Sequence, residues 1–136
     1  MMSKKELMKQ AIKASKLAYC PYSRFRVGAA ILTKNNRVYL GTNIENVAFP
    51  TTLCAERVAI AHAYMSGVRR KDIVAIAIVA DLPALVSPCG ECRQVMSEMF
   101  KLDTPVYLGN LKGKIEETTV GKLLPRGFTN LYKKLS

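Results

Sequence analysis

The sequence predicts an α/β protein built as three layers, α/β/α, around a mixed five-stranded sheet. One observation is the order of its hydrophobic patterns: a helix, a hairpin, then strand and helix in alternation, which suits a sheet covered on both faces. A second is size. The chain has 136 residues, 49% of them hydrophobic, enough for one core without disulfide staples. A single domain over residues 1–136 is expected, with no internal repeat or linker.

Each element has a local cause. Ser3-Lys4-Lys5-Glu6 is a capping-box pattern, in which Ser3 and Glu6 satisfy free amides at a helix start. Leu7, Met8, Ala11, Ile12, Ser15 and Ala18 then recur at helical spacing and make one mostly apolar face. Cys20-Pro21-Tyr22-Ser23 reads as a turn. Val27 to Thr33 suits a buried strand, Lys34 to Arg37 a hairpin turn, and Val38 to Thr42 the returning antiparallel strand. A second helix is expected from about Leu53 to Met65, stopped by Gly67. Ile73 to Ala80 is almost continuously apolar, as a strand covered on both faces should be. A loop ending at Ser87-Pro88 leads to a third helix from about Cys89 to Phe100. Pro105 to Gly109 and Lys114 to Thr119 read as strands about a turn at Gly113, and a short helix near Val120 to Leu124 precedes Pro125.

Charge is uneven. There are 21 Lys+Arg against 10 Asp+Glu, for a net charge of +11. Residues 1–26 carry seven basic and one acidic side chain, residues 101–136 seven and three, and the middle is nearly balanced. Such a chain suits a nucleic acid, an anionic membrane or an anionic substrate, and equally a solvated surface. The absence of Trp, of interleaved basic and aromatic residues and of length for a single-strand channel argues against a nucleic-acid partner. No apolar run approaches the roughly 18 residues that cross a bilayer, so no membrane partner is expected. Without a visible secretory h-region and cleavage site, a cytoplasmic, reducing setting is expected. The four cysteines then read as thiolates for metal or chemistry.

Cys54-Ala55-Glu56 opens the second predicted helix, and Pro88-Cys89-Gly90-Glu91-Cys92 opens the third. Cys89 and Cys92 are three apart, so one helical turn puts both sulfurs on one face. Two helix N-termini aimed at one spot can bring the thiolates of Cys54, Cys89 and Cys92 to a single Zn²⁺, leaving the fourth tetrahedral position open, as catalytic zinc sites do. Three thiolates on Zn²⁺ sum to a negative charge that weakens the Lewis acid. Each helix N-terminus offsets roughly half a unit of it, and Arg57 and Arg93 are placed to donate to the thiolates and lower it further. Glu56, two residues from a ligand, is near enough to serve a metal-bound water without binding the metal. Two blander readings stand beside this one. Cys-x-x-Cys at a helix start is also a redox or structural pattern, and with Cys20 all four cysteines can close a structural zinc site. Cys20, between Tyr19 and Pro21, looks more like a small buried hydrophobe. The lone histidine, His62, is given no catalytic role.

Cys-Ala-Glu followed by Pro-Cys-x-x-Cys is the zinc-deaminase signature in the form where Cys replaces the first His. Around it, Ala18 to Ser23, Phe25 to Ala30, Asn43-Ile44-Glu45-Asn46, Cys54 to Arg57, Ser87 to Gln94 and Leu123-Leu124-Pro125 resemble the small homotetrameric cytidine deaminases over nearly the whole length. That resemblance implies hydrolytic deamination of cytidine and 2′-deoxycytidine to the uridines plus ammonia, in pyrimidine salvage. It implies one zinc per subunit on Cys54, Cys89 and Cys92, with zinc-bound hydroxide attacking C4 and Glu56 shuttling protons. It implies Arg57 in support of the thiolates, Asn43 and Glu45 on the ribose, and Phe25 against the pyrimidine. Ala55 joins the substrate-binding set, and Phe128 corresponds to an aromatic lent to a neighbouring subunit of a homotetramer. Cytosine-antibiotic deaminases share the zinc motif, but the matches at Phe25, Asn43-x-Glu45 and Leu-Leu-Pro argue against that substrate.

The chain departs from the family pattern at three places. Phe49 stands where many members have Tyr. Glu91 fills an inner Cys-x-x-Cys position commonly small or apolar. Arg126-Gly127 before Phe128 is not the usual sequence.

Overall fold

The computed structural model describes residues 1–128. Five strands form one sheet in the order β2-β1-β3-β4-β5: β1 (Val27–Thr33), β2 (Val38–Thr42), β3 (Ile73–Ala80), β4 (Pro105–Asn110) and β5 (Ile115–Thr119). Only β3 and β4 run parallel; β1–β2, β1–β3 and β4–β5 are antiparallel. The mixed sheet is therefore the expected one. The β1–β2 hairpin turns through Asn36 at φ 61°, a left-handed conformation that Asn tolerates.

Helix α1 (Lys4–Ser15) begins where the sequence pattern places it, with the Ser3 hydroxyl accepting from the Glu6 amide. This is the Ser3 half of the expected capping box, and the Glu6 carboxylate makes no return bond to the Ser3 amide. Its apolar residues Leu7, Met8 and Ala11 pack alone on one face of the sheet, against Ala30, Leu32, Ala75, Ala77 and Val79. The other face is covered by α2 (Ala55–Met65), α3 (Gly90–Met99) and the short α4 (Val120–Leu123). β3 alternates between the two cores. Ile76 and Ile78 face the α2–α3 side while Ala75, Ala77 and Val79 face α1. This explains its nearly unbroken apolar run.

The helices are shorter than their sequence patterns suggest. Helix α2 starts at Ala55 rather than near Leu53, because Leu53 is tied to Ile44 by paired backbone hydrogen bonds. Cys54 and Cys89 are the N-caps of α2 and α3, not their first helical residues. Strand β4 extends through Asn110, whose side chain organises the turn into β5 by accepting from the Lys112 and Lys114 amides.

Candidate metal centre and substrate pocket

Helices α2 and α3 both begin at the end of the sheet where β3 terminates, and their N-caps meet there. Neither Cys54 nor Cys89 uses its side chain to cap its helix, so both sulfurs are free to face a common point. Cys92 follows in the first turn of α3, fully buried. The three sulfurs lie within 4.8 Å of one another. Ligands at about 2.3 Å from one tetrahedral zinc sit roughly 3.8 Å apart, so a small contraction closes the site. Cys20 is buried beside Tyr19, Pro21 and Arg24, outside this cluster. That removes the four-cysteine structural reading.

The electrostatics suit a cation. The Cys54 thiol is drawn down to about 5 by the Cys92 thiol donating to it and by the Arg57 guanidinium. Cys92 is pushed up, first by that same contact and then by burial. One proton is thus shared between two sulfurs, and a divalent cation can displace it. Arg57 Nη2 reaches Cys54 Sγ at 3.6 Å and the Thr52 carbonyl at 3.1 Å, while its Nε is buried without a partner. That spare donor beside the sulfurs fits a site carrying more thiolate charge than the metal-free arrangement holds. The three sulfurs, the two helix N-termini and Arg57 therefore fit zinc.

Arg93 does something else. Its guanidinium donates to the carbonyls of Pro88 (2.7 Å) and Leu123 (3.0 Å) and to the Ser87 hydroxyl (2.6 Å). It ties the loop before Cys89 to α4 and touches no sulfur, correcting the expectation from sequence. Arg93 follows Cys92 directly in α3 and is turned about 100° from it around the helix, so its side chain leaves toward the loop before Cys89 and α4 while the Cys92 sulfur faces the cluster. Glu91 is exposed and lies 3.9 Å from Arg57 Nη1, so it faces the guanidinium.

Beside the sulfurs is a cavity of about 340 Å³ lined by Phe25, Asn43, Glu45, Thr52, Leu53, Cys54, Glu56, Ser87, Pro88 and Cys89, among others. Glu56 is 5% exposed; burial raises its pKa, and the Cys54 charge adds to this. A carboxyl so placed holds a proton more readily than a solvated one, the direction an acid–base group needs. Glu45 is the opposite case. The Ser23 hydroxyl and the amides of Ser23 and Tyr22 stabilise its charge and lower its pKa; those amides donate at 3.1 and 3.0 Å.

Asn43 is buried with its amide turned inward. Its Oδ1 accepts from the Val27 amide at 2.9 Å and its Nδ2 donates to the Phe25 carbonyl at 2.7 Å. It thus fixes the segment that presents the Phe25 ring to the cavity. The Ala55 side chain is fully buried in the core, leaving only its backbone amide, a donor without an intrahelical acceptor, at the pocket end of α2. Phe128 lines no part of this cavity and is 64% exposed. Its backbone is held to α3, where Gln94 accepts from its amide at 3.1 Å and donates to its carbonyl at 2.9 Å. Sequence reasoning passed over Thr52, Ser87 and the apolar wall from Val27, Ile78 and Ala80. Thr52 Oγ1 is buried with no partner, and only its proximity to Cys54 in sequence hinted at it.

Residues 1–108 match the family described as the cytidine and deoxycytidylate deaminase zinc-binding region. The chain is 56% identical over 128 residues to the cytidine deaminase of Halalkalibacterium halodurans, covering 94% of this chain and 96% of that protein. It is 52% identical to the cytidine deaminase of Sporosarcina psychrophila, covering 94% and 93%. Among solved structures, the cytidine deaminase of Burkholderia pseudomallei superimposes with a TM-score of 0.91 at 41% identity, covering 93% of this chain and 100% of that one. The cytidine deaminase of Mycobacterium tuberculosis gives 0.80 at 35%, covering 95% and 99%.

Proposed function

This chain belongs to the cytidine and deoxycytidylate deaminase family, and on that premise we propose that it hydrolyses cytidine and 2′-deoxycytidine to the uridines and ammonia. The observation that carries the reading is the buried Glu56 carboxyl sharing one nucleoside-sized cavity with the three-sulfur cluster. Zinc held by Cys54, Cys89 and Cys92 supplies a Lewis acid that makes water nucleophilic near neutral pH.

The chain's own residues do the rest. Glu56 takes the proton from the attacking water and delivers it to N3 of the ring, then moves the proton of the new C4 hydroxyl to the exocyclic nitrogen, so that the C4 carbonyl forms as the C4–N bond breaks and ammonia leaves. Its raised pKa lets it hold a proton more readily than a solvated carboxylate does. Phe25 offers its ring to the flat base. Glu45, kept ionised, accepts from a sugar hydroxyl, and Asn43 sets the Phe25–Val27 backbone while its remaining amide hydrogen faces the same sugar. Arg57 holds the Cys54 sulfur. Membership of this family, together with the lack among the described residues of a helix long and apolar enough to span a membrane, supports a cytoplasmic role in pyrimidine salvage.

We further read the chain as one domain that assembles into a homotetramer whose sites neighbouring subunits complete. Tyr22, Ile44, Phe49 and Leu53 are exposed apolar residues close to the pocket, and Phe128 presents its ring outward. Phe49, 68% exposed, offers an aromatic face there without a hydroxyl.

The test is the ultraviolet change of cytidine with purified protein beside Glu56→Gln, with zinc measured in both. Wild type should consume cytidine, and Glu56→Gln should hold zinc yet lose turnover. Zinc in both with no turnover of either nucleoside overturns the substrate and leaves other cytosine-bearing compounds.

A further inference from the structure

The deaminase site uses none of the chain's most uneven charge, which lies on α1. At 100° per residue, Lys5, Lys9, Lys13 and the C-cap Lys16 fall within an arc of about 80°. Leu7, Met8, Ala11, Ala14 and Ser15 are buried on the opposite side, against the sheet. All four lysines are exposed. None makes an ion pair among the described residues, where the ion pair found is Arg57–Glu91. The stripe runs about 16 Å along the axis. Arg26 extends it, its guanidinium donating to the Lys16 carbonyl at 3.1 Å past the helix end.

This arrangement works against the helix. Lys5–Lys9 and Lys9–Lys13 are like charges one turn apart, which repel. Lys4 and Lys5 sit at the positive end of the helix dipole. A surface needed only for solubility mixes both signs and avoids this loss; Glu6 is the lone acidic residue in α1. A single-sign row that destabilises its own helix suits a partner carrying a regular row of negative charge.

We propose that the outer face of α1 is a docking surface for the phosphate backbone of duplex nucleic acid, bound through Lys5, Lys9, Lys13 and Lys16 without base readout. Residues one turn apart are spaced about 6 Å along the helix, and the roughly 3.4 Å axial rise per phosphate combined with the winding of the strand puts neighbouring phosphates a similar distance apart, so successive lysines meet successive phosphates. Donors limited to ammonium groups carry position but no sequence information. A lipid surface is the poorer fit, because the apolar side of α1 is already committed to the sheet and nothing remains to enter a bilayer.

Fluorescence anisotropy of a labelled short DNA duplex against full-length protein tests this, with salt varied between about 50 and 200 mM. Four released counterions predict a slope of log affinity against log salt of about −3.6, a loss of roughly 150-fold across that range. Lys5→Glu/Lys9→Glu/Lys13→Glu should abolish binding, and Lys5→Gln/Lys9→Gln/Lys13→Gln, which removes the charge without reversing it, should weaken binding at least tenfold. Both should keep cytidine turnover, and Lys→Arg at the same positions should restore binding. No binding at the lowest salt, a flat salt response, or unchanged binding by the Gln variant overturns the proposal. Binding to phosphatidylserine vesicles without binding to duplex overturns it in favour of a membrane surface.

Discussion

The two faces of the sheet are built from the same parts and do different work. On one, α1 lies along the strands and spends its whole inner side on packing; what it shows to solvent is a row of lysines. On the other, α2 and α3 also pack apolar residues on the sheet, but their first turns converge, and the N-caps are cysteines. A helix that caps itself, as Ser3 does for α1, is closed at its end. A helix whose N-cap side chain is left free presents both a ligand and an unsatisfied positive end. The chemistry sits on the second face for that reason.

The strongest test of this contrast uses two glycines on neighbouring strands. Gly28 lets α1 approach, since a Cβ there would overlap the Ala11 carbonyl, and Gly41 lets α2 approach at the Ala55 carbonyl and the Ala59 amide. Overlap is with backbone in both cases, so Gly28→Ala and Gly41→Ala should each lose about 3 kcal/mol in urea denaturation. They should then separate. Gly41→Ala moves the helix whose N-cap is Cys54 and should weaken zinc retention in a chelator competition, whereas folded Gly28→Ala should retain zinc as wild type does. Equal zinc loss in both would mean the faces are not independent.

Within the active face, the two pocket carboxylates should respond to pH with opposite sign. Glu45 has a lowered pKa, so its contribution to stability is complete above the ordinary carboxylate range and is lost as pH falls below that range through the lowered value. Glu56 has a raised pKa, so in metal-free protein its charging opposes folding as pH rises past that range. Glu45→Gln should lower Tm at neutral pH and flatten its acid limb. Glu56→Gln should raise the Tm of metal-free protein at neutral pH, the usual exchange of stability for a working group.

A smaller effect belongs to the α1 face. Ser3→Ala removes the hydroxyl that accepts from the Glu6 amide at 3.2 Å and should lose about 1 kcal/mol, seen as a lower thermal midpoint, with cytidine turnover unchanged.

Much of this molecule was readable along the chain. The helix starts to within two residues, the two glycine-marked turns, the alternation of strand and helix and the candidate ligand triple Cys54, Cys89 and Cys92 all follow from patterns a few residues long. Those patterns are caps, 3.6-residue and unbroken apolar periods, and cysteines one turn apart. The side-chain partners were not readable. Asn43 reaches back to Phe25 and Val27, Glu45 to Tyr22 and Ser23, Arg93 forward to Leu123, and Gln94 to Phe128, across 16 to 34 residues. A donor's nearest acceptor in space depends on how strands register and helices pack, and no local preference encodes that. The sequence by itself determined which atoms can hold a metal and move a proton; the tertiary structure decided that Arg57 serves the sulfurs while Arg93 serves a loop, and that Asn43 fixes backbone as well as facing the pocket.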